Sequence, residues 1–231
     1  MRAHSEFGKL ISLFLKKASA SFIDDTHISQ HWEALNYLGK PDIAKALQEY
    51  DAFEQILKDH GAEVLYFPPN DNVNMDSIYC RDAAIATSKG MIICNMGKEG
   101  RINEPAAQER AFESNGIPVL GVIAAPGTLE GGDVAWLDDK TLAVGHTYRT
   151  NEEGIRQLSA LLAPLGVSVL PVAMPHYKGP SDVFHLMSVL SPVDSKLAVV
   201  YSPLIPIVFR NELIARGYEF VEVPDTEFDS M

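Results

Sequence analysis

Residues 103–146 read NEPAAQERAFESNGIPVLGVIAAPGTLEGGDVAWLDDKTLAVGH and hold one full copy of a repeating unit. The first part, 103–115, is expected to be a helix that stops at Gly116, and 117–123 turns into a strand. A loop then leads through Glu130-Gly131-Gly132-Asp133 to strands near 133–137 and 141–146, joined across Asp138-Asp139-Lys140. The order is helix, strand, loop, hairpin. Upstream, Pro41-Asp42-Ile43 opens a helix with Ile43, Leu47, Tyr50, Phe53, Ile56 and Leu57 at helical spacing, ending at Gly61. Glu63 to Phe67 follows as a strand, Pro68-Pro69-Asn70-Asp71-Asn72 breaks it, and a hairpin turns at Ser88-Lys89-Gly90. Downstream the spacing predicts helix 151–164, strand 167–173 and strands near 183–190 and 196–201 with a turn at 191–195. A fourth copy starts with helix 207–216 and strand 218–223, and a strand at 10–15 opens a further unit.

The copies share a signature, a glycine followed three residues later by an apolar strand residue: Gly61/Val64, Gly116/Val119, Gly166/Val169 and Gly217/Phe220. These glycines lie 55, 50 and 51 residues apart. After the first three, the following strand and loop deliver Asp82, then Glu130 with Asp133, then His185. The same offsets of 14 to 21 residues after Gly217 put the fourth such position at 231–238, and the chain as written ends at Met231. Repeats of this kind stack into a solenoid or close into a ring. A ring is expected, because it aims equivalent loops at one centre. No linker or low-complexity segment divides the units, so 1–231 is expected to be a single α/β domain.

With 231 residues, 46% hydrophobic and 22% charged, the chain can bury about 70% of its unfolded surface. The apolar run 10–15 is bracketed by Lys9 and Lys16-Lys17 and lacks a small-residue cleavage site, so it reads as a strand rather than a signal peptide. No stretch reaches 18 apolar residues, so no membrane partner is expected. A net charge of −12 argues against nucleic acid, which needs a basic face, and is compatible with a cationic ligand. Cys80 and Cys94 are too few for a disulfide framework and are spaced unlike a zinc site, which points to reduced thiols and a cytoplasmic location.

Asp76 and Asp82 flank Ser77-Ile78-Tyr79-Cys80-Arg81, which alternates like a strand and would turn both carboxylates to one side. Like charges on one face need a cation between them; the plainer account pairs Asp82 with Arg81 and uses Asp76 to cap a loop. In Glu130-Gly131-Gly132-Asp133 the two glycines permit a tight turn and a close approach to the main chain, although a bland Gly-Gly turn has the same sequence. His185 lies in an apolar segment, as core histidines do, but occupies the repeat position that elsewhere holds acids. His27 and His31 make half a metal site without a third ligand, and read as a solvated helix face. There is no phosphate loop, dinucleotide fingerprint or Gly-x-Ser-x-Gly elbow. Carboxylates with one histidine suit a planar cation, above all a guanidinium, which takes two-pronged charged hydrogen bonds. His185 can protonate a departing amine; no nucleophile is evident.

With Asp76-x5-Asp82, Glu130-Gly131-Gly132-Asp133, Arg149-Thr150-Asn151 and His185-Leu186 in this order, the chain resembles the guanidine-modifying (pentein) superfamily. That superfamily includes dimethylarginine dimethylaminohydrolases, arginine deiminases and amidinotransferases, and the resemblance runs from Phe7 to Met231. It implies a five-bladed α/β-propeller, with the last blade incomplete in this chain. It also implies that Asp76 and Asp82 hold guanidinium nitrogens, Glu130 binds and orients the substrate, His185 is the general acid/base, and Arg101 and Arg149 clamp a substrate carboxylate. Met187 stands where deiminases and amidinotransferases carry an acid, which favours the dimethylarginine hydrolase type. Arg81 stands where those hydrolases often have an acid. The superfamily's cysteine nucleophile lies just beyond a segment resembling 224–231, and neither Cys80 nor Cys94 occupies that position.

The expectation is therefore a hydrolase of C–N bonds in linear amidines, working on a small guanidino or arginine-like substrate through a cysteine thiouronium, with no cofactor and no metal. The 231-residue form is expected to be a truncated, inactive form. An amidinotransferase, a catalytically silent guanidinium-binding protein and a structural propeller are the alternatives; a homodimer is compatible with each.

Overall fold

Each of the four repeat glycines takes a left-handed backbone, with φ of +80° at Gly61, +70° at Gly116, +72° at Gly166 and +82° at Gly217. Only a residue without Cβ adopts this conformation at little cost, so the glycines end their helices and turn the chain into the next strand. The computed structural model describes residues 5–69, 72–180 and 184–228. The expected loop positions Asn70 and Asp71, the start of the strand placed at 183 and the segment 229–231 lie outside the described residues.

The described residues form four sheets. The first pairs β1 (Ser12–Leu15) with β2 (Glu63–Tyr66) in parallel, the chain passing between them through α1 (Ala18–Phe22), α2 (Asp25–His31) and α3 (Ile43–Asp59). In the second, β3 (Ala84–Thr87) is antiparallel to β4 (Gly90–Ile93), and α4 (Glu104–Ser114) leads to β5 (Val119–Val122), parallel to β4. The third repeats this with β6 (Val134–Asp138), β7 (Thr141–His146), α5 (Glu152–Leu162) and β8 (Ser168–Ala173). The fourth does so with β9 (Leu190–Asp194), β10 (Leu197–Val200), α6 (Ile207–Ala215) and β11 (Glu219–Glu222), followed by the short α7 (Asp225–Phe228).

Sheet pairing thus regroups the expected unit: the hairpin comes first, and the strand after each helix returns to the hairpin before it. The reason is the crossover, since a helix carries the chain back parallel to the strand it left. The last hairpin is also shifted. Residues 191–194, expected as a turn, belong to β9, and the chain turns at Ser195-Lys196, where Lys196 has φ +68°. Pro192 is tolerated because β9 is an edge strand, where a missing N–H removes no ladder bond.

Successive sheets share cores. Along β6 and β7, Val134, Trp136, Leu142 and Val144 face a core built with Ile85, Ile92, Leu158 and Leu162. The alternate residues Ala135, Leu137 and Ala143 face a second core with Leu186, Leu190, Val200 and Leu213. Period-two alternation buried on both faces explains why these strands are apolar throughout. A smaller core of Phe67, Ile93, Ala111 and Phe112 joins the first sheet to the second. Among the described residues no helix is long and apolar enough to cross a membrane.

Candidate active site

The loops that precede β3, β6 and β9 meet. Gly131 donates its N–H to the carbonyl of Asp82 at 2.8 Å, and a Cβ on Gly131 would stand 2.1 Å from the carbonyl oxygen of Arg81. A Cβ on Gly132 would lie 2.7 Å from His185 Cδ2 and 2.9 Å from Asp82 Oδ1. The two glycines therefore let three chain segments close on one another, and bring Asp82, Glu130 and His185 together.

Glu130 is 1% exposed. Its Oε1 accepts the backbone N–H groups of Gly97 at 2.9 Å and Lys98 at 2.8 Å and lies 3.7 Å from Arg149 Nη1; its Oε2 lies 3.5 Å from His185 Nε2. On the other side of the ring, His185 Nδ1 is 3.2 Å from Asp133 Oδ1. Burial alone would lower the His185 pKa, but the contact with Asp133 and the charges of Asp133, Asp82 and Glu130 outweigh it and raise the pKa above its ordinary value. An imidazole held between carboxylates stays protonated to higher pH, which suits a proton donor to a leaving amine.

The segment carrying Asp76 and Asp82 departs from expectation. It is not a strand: Met75–Ile78 is a 3-10 turn whose start is capped by Asn74, which accepts the Asp76 N–H at 2.9 Å. Asp82 does not pair with Arg81. Arg81 turns away to Glu6, at 3.0 and 3.2 Å, and to the carbonyl of Val134 at 2.8 Å. Each acid has an internal cation instead, Lys98 Nζ at 2.7 Å from Asp76 Oδ2 and Arg101 Nη1 at 2.6 Å from Asp82 Oδ2.

Arg101 is 5% exposed and is held further by both oxygens of Glu104, at 2.8 and 2.7 Å, and by the carbonyl of Tyr79 at 3.0 Å. Of its five N–H donors, one on Nη1 has no partner among the described residues. Glu104 is buried, which lifts its carboxyl pKa despite Arg101. Arg149, at 8% exposure, sits in the loop after β7 with Nη1 toward Glu130. His27 and His31 lie along α2 with ring centroids 4.5 Å apart. Among the described residues no group of three or more His, Cys, Asp or Glu is arranged to hold a metal ion.

Both thiols are turned inward. Cys94 is 2% exposed in the core, and burial, with the charges of Asp82 and Glu130, raises its pKa well above the ordinary value. Cys80 lies against the carbonyls of Ser77 and Ile78, and burial pushes its pKa up to about 11.

Reading the sequence gave no role to Lys98, Glu104, Thr147 or Thr150 and no specific one to Asp133. Lys98 had a signal in its position among the residues after β4, beside Arg101. Thr150 lies inside the Arg149-Thr150-Asn151 motif, but its bond to Asp133, like that of Thr147, is reached only through the fold.

A repeating α/β chain whose loops converge on carboxylates and one imidazole, with arginines beside them, is of the guanidine-modifying class. More narrowly, the chain belongs to the family described as N,N dimethylarginine dimethylhydrolase, eukaryotic, whose profile matches residues 19–231. It is 36% identical over 172 residues to the N(G),N(G)-dimethylarginine dimethylaminohydrolase of Streptomyces coelicolor, which is 74% of this chain and 63% of that protein. To the enzyme of the same name from Pseudomonas aeruginosa it is 31% identical over 190 residues, 82% of this chain and 65% of that protein. The chain thus spans 63–65% of the length of these two relatives. The fold matches a mutant of the Pseudomonas aeruginosa enzyme complexed with citrulline, with TM-score 0.75 and 26% identity over 95% of this chain and 78% of that one. It is shared at TM-score 0.77 and 16% identity with the product-bound N-terminal domain of a cyanobacterial arginine dihydrolase, over 95% of this chain and 77% of that one.

Proposed function

We propose that this site binds the guanidinium of an arginine-type substrate and belongs to an amidinohydrolase of the dimethylarginine hydrolase type. The observation that carries the reading is the placement of His185 between Glu130 and Asp133, with Asp82 across Gly132. In the mechanism, a thiolate attacks the guanidinium carbon, and the C–N bond to the departing amine breaks as His185 gives that amine its proton. Water, losing a proton to His185, then displaces sulfur from the thiouronium and leaves a ureido product. Glu130 and Asp82 stabilise the positive charge of substrate and intermediate; Asp76 joins them through movement of Lys98. Arg149 clamps the substrate carboxylate, and Arg101 contributes its uncommitted Nη1 hydrogen.

The five-bladed ring with an incomplete last blade, and a cytoplasmic location, are parts of the same proposal. So is the source of the thiol. Cys80 is half-buried, Cys94 is buried, and both carry raised pKa values, so the 231-residue chain is proposed to be inactive by itself. The test is a longer chain that carries a further cysteine, given dimethylarginine and assayed for citrulline. Absence of ureido product from several guanidino compounds would reject the hydrolase reading, and a requirement for an acceptor amine would make it an amidinotransferase. The raised pKa values of both thiols also favour a second reading, a catalytically silent guanidinium-binding protein, in which ligand binds and no longer form turns over.

A further inference from the structure

Asp133 is completely buried, yet neither a lysine nor an arginine forms an ion pair with it among the described residues. Its Oδ2 accepts two hydroxyls, Thr147 Oγ1 and Thr150 Oγ1, each at 2.7 Å. Its Oδ1 accepts the N–H of Leu186 at 3.1 Å and lies 3.2 Å from His185 Nδ1. A carboxylate has about four acceptor positions; three are filled by hydrogen bonds, and the fourth side faces His185 Nδ1.

The two threonines are themselves committed. Thr147 Oγ1, while donating to Asp133, accepts the N–H groups of Arg149 at 3.0 Å and Thr150 at 3.1 Å. Thr150 Oγ1 accepts the N–H of Glu130 at 3.2 Å. One carboxylate therefore ties together the loop carrying Arg149, the backbone of Glu130 and the turn that begins at His185.

We propose that Asp133 is the positioning residue of this site: it keeps a proton on His185 Nδ1, turns Nε2 toward Glu130 and locks the Arg149 loop to the imidazole. An ionised carboxylate only accepts, so the ring nitrogen 3.2 Å away carries hydrogen. The contact does not meet hydrogen-bond geometry, so at this separation Asp133 acts on the ring chiefly through its charge. In the neutral ring, Nε2 then presents its lone pair to Glu130 Oε2 at 3.5 Å, an acceptor facing an acceptor, which a second proton relieves. The charged groups around the ring are Asp133, Glu130 and Asp82, with Arg149 and Arg101 behind the last two. The raised pKa of His185 agrees with this arrangement. The consequence for catalysis rests on the hydrolase reading; the tautomer and its control by Asp133 do not.

The test is a pH titration of the 231-residue chain by proton–nitrogen correlation spectra of its imidazoles, with His185 assigned by loss of its signals in His185→Gln. The expected neutral form is the Nδ1–H tautomer, with a midpoint above about 6.5. Asp133→Asn is expected to lower the midpoint by at least about one pH unit, tenfold in proton affinity. Thr150→Val withdraws a donor from Asp133, leaves more of its charge for the ring, and is expected to raise the midpoint. General loosening of the site moves both variants toward the ordinary value, so opposite signs separate the two causes. If Asp133→Asn does not fold, the wild-type tautomer and Thr150→Val decide. An Nε2–H tautomer in the wild type, an unchanged midpoint in folded Asp133→Asn, or a lowered one in Thr150→Val overturns the proposal. Should the tautomer stand while longer chains form no citrulline, the hydrolase reading fails and the assignment of Asp133 survives.

Discussion

Arg101 donates from Nη1 to Asp82 Oδ2 at 2.6 Å, so a guanidinium of the chain itself occupies the carboxylate that the resemblance assigns to substrate. The same group makes a two-pronged contact with Glu104. Burial alone would favour a neutral side chain, but Glu104 and Asp82 hold it charged. Asp82 thus has one oxygen committed to Arg101 and the other, Oδ1, on the side of His185.

This pairing gives Arg101 a structural role. Arg101→Ala leaves Asp82 and Glu104 buried without their cation and is expected to cost about 3–5 kcal/mol in urea unfolding. Arg101→Lys keeps the charge but loses the fork to Glu104, and should fall between the two. A loss below about 1 kcal/mol in Arg101→Ala, the range of an exposed pair, would show that the triad is not buried in solution.

Protonation of His185 is linked to stability. Its folded pKa lies above the unfolded value of about 6.5, so its contribution is fully present below that value and is lost as pH rises through the raised folded pKa. The stability difference between wild type and His185→Gln is therefore expected to shrink as pH rises from about 6.5 through the raised folded pKa. A difference that grows over this range would mean that the imidazole is held neutral.

The thiols should be slow. At pH 8 a Cys80 pKa of about 11 leaves on the order of 0.1% thiolate, against about a quarter for a free cysteine, and Cys94 is buried more deeply. Native protein is expected to react with iodoacetamide at least about a hundredfold more slowly than unfolded protein. Rapid labelling of either thiol in the native state, read by mass spectrometry, would reopen both as nucleophiles.

Gly132 is where the main chain comes closest to the imidazole and to Asp82 together. A methyl group there meets His185 Cδ2 at 2.7 Å and Asp82 Oδ1 at 2.9 Å, so Gly132→Ala must push one of them aside. The expected cost is about 1–3 kcal/mol of stability, with at least about tenfold weaker guanidino-ligand binding. Unchanged affinity would place the binding site elsewhere.

What could be read from the sequence follows from how local each signal is. The left-handed glycines at 61, 116, 166 and 217 mark their turns in single residues, and the helices and hairpins between them follow. The turn Met75–Ile78 was hidden, because 77–81 alternates like a strand while the capping Asn74 and the distant Arg101 decide its shape. Ser191 and Pro192 read as a turn, and only their place on an edge strand makes them part of β9. Asp82, Glu130 and His185 were visible as repeat positions. The bond from Leu186 to Asp133 spans 53 residues and leaves no local trace, so the role of Asp133 had to come from the fold.

The central claim is that Glu130, Asp82 and His185 form a guanidinium site, and calorimetric titration of the 231-residue chain tests it most directly. With arginine and its dimethylated forms the wild type is expected to give a saturable heat at millimolar ligand or below, and Glu130→Gln, which keeps the shape and removes the charge, is expected to abolish it. No heat at millimolar ligand, or equal heats from wild type and a folded Glu130→Gln, would contradict the account.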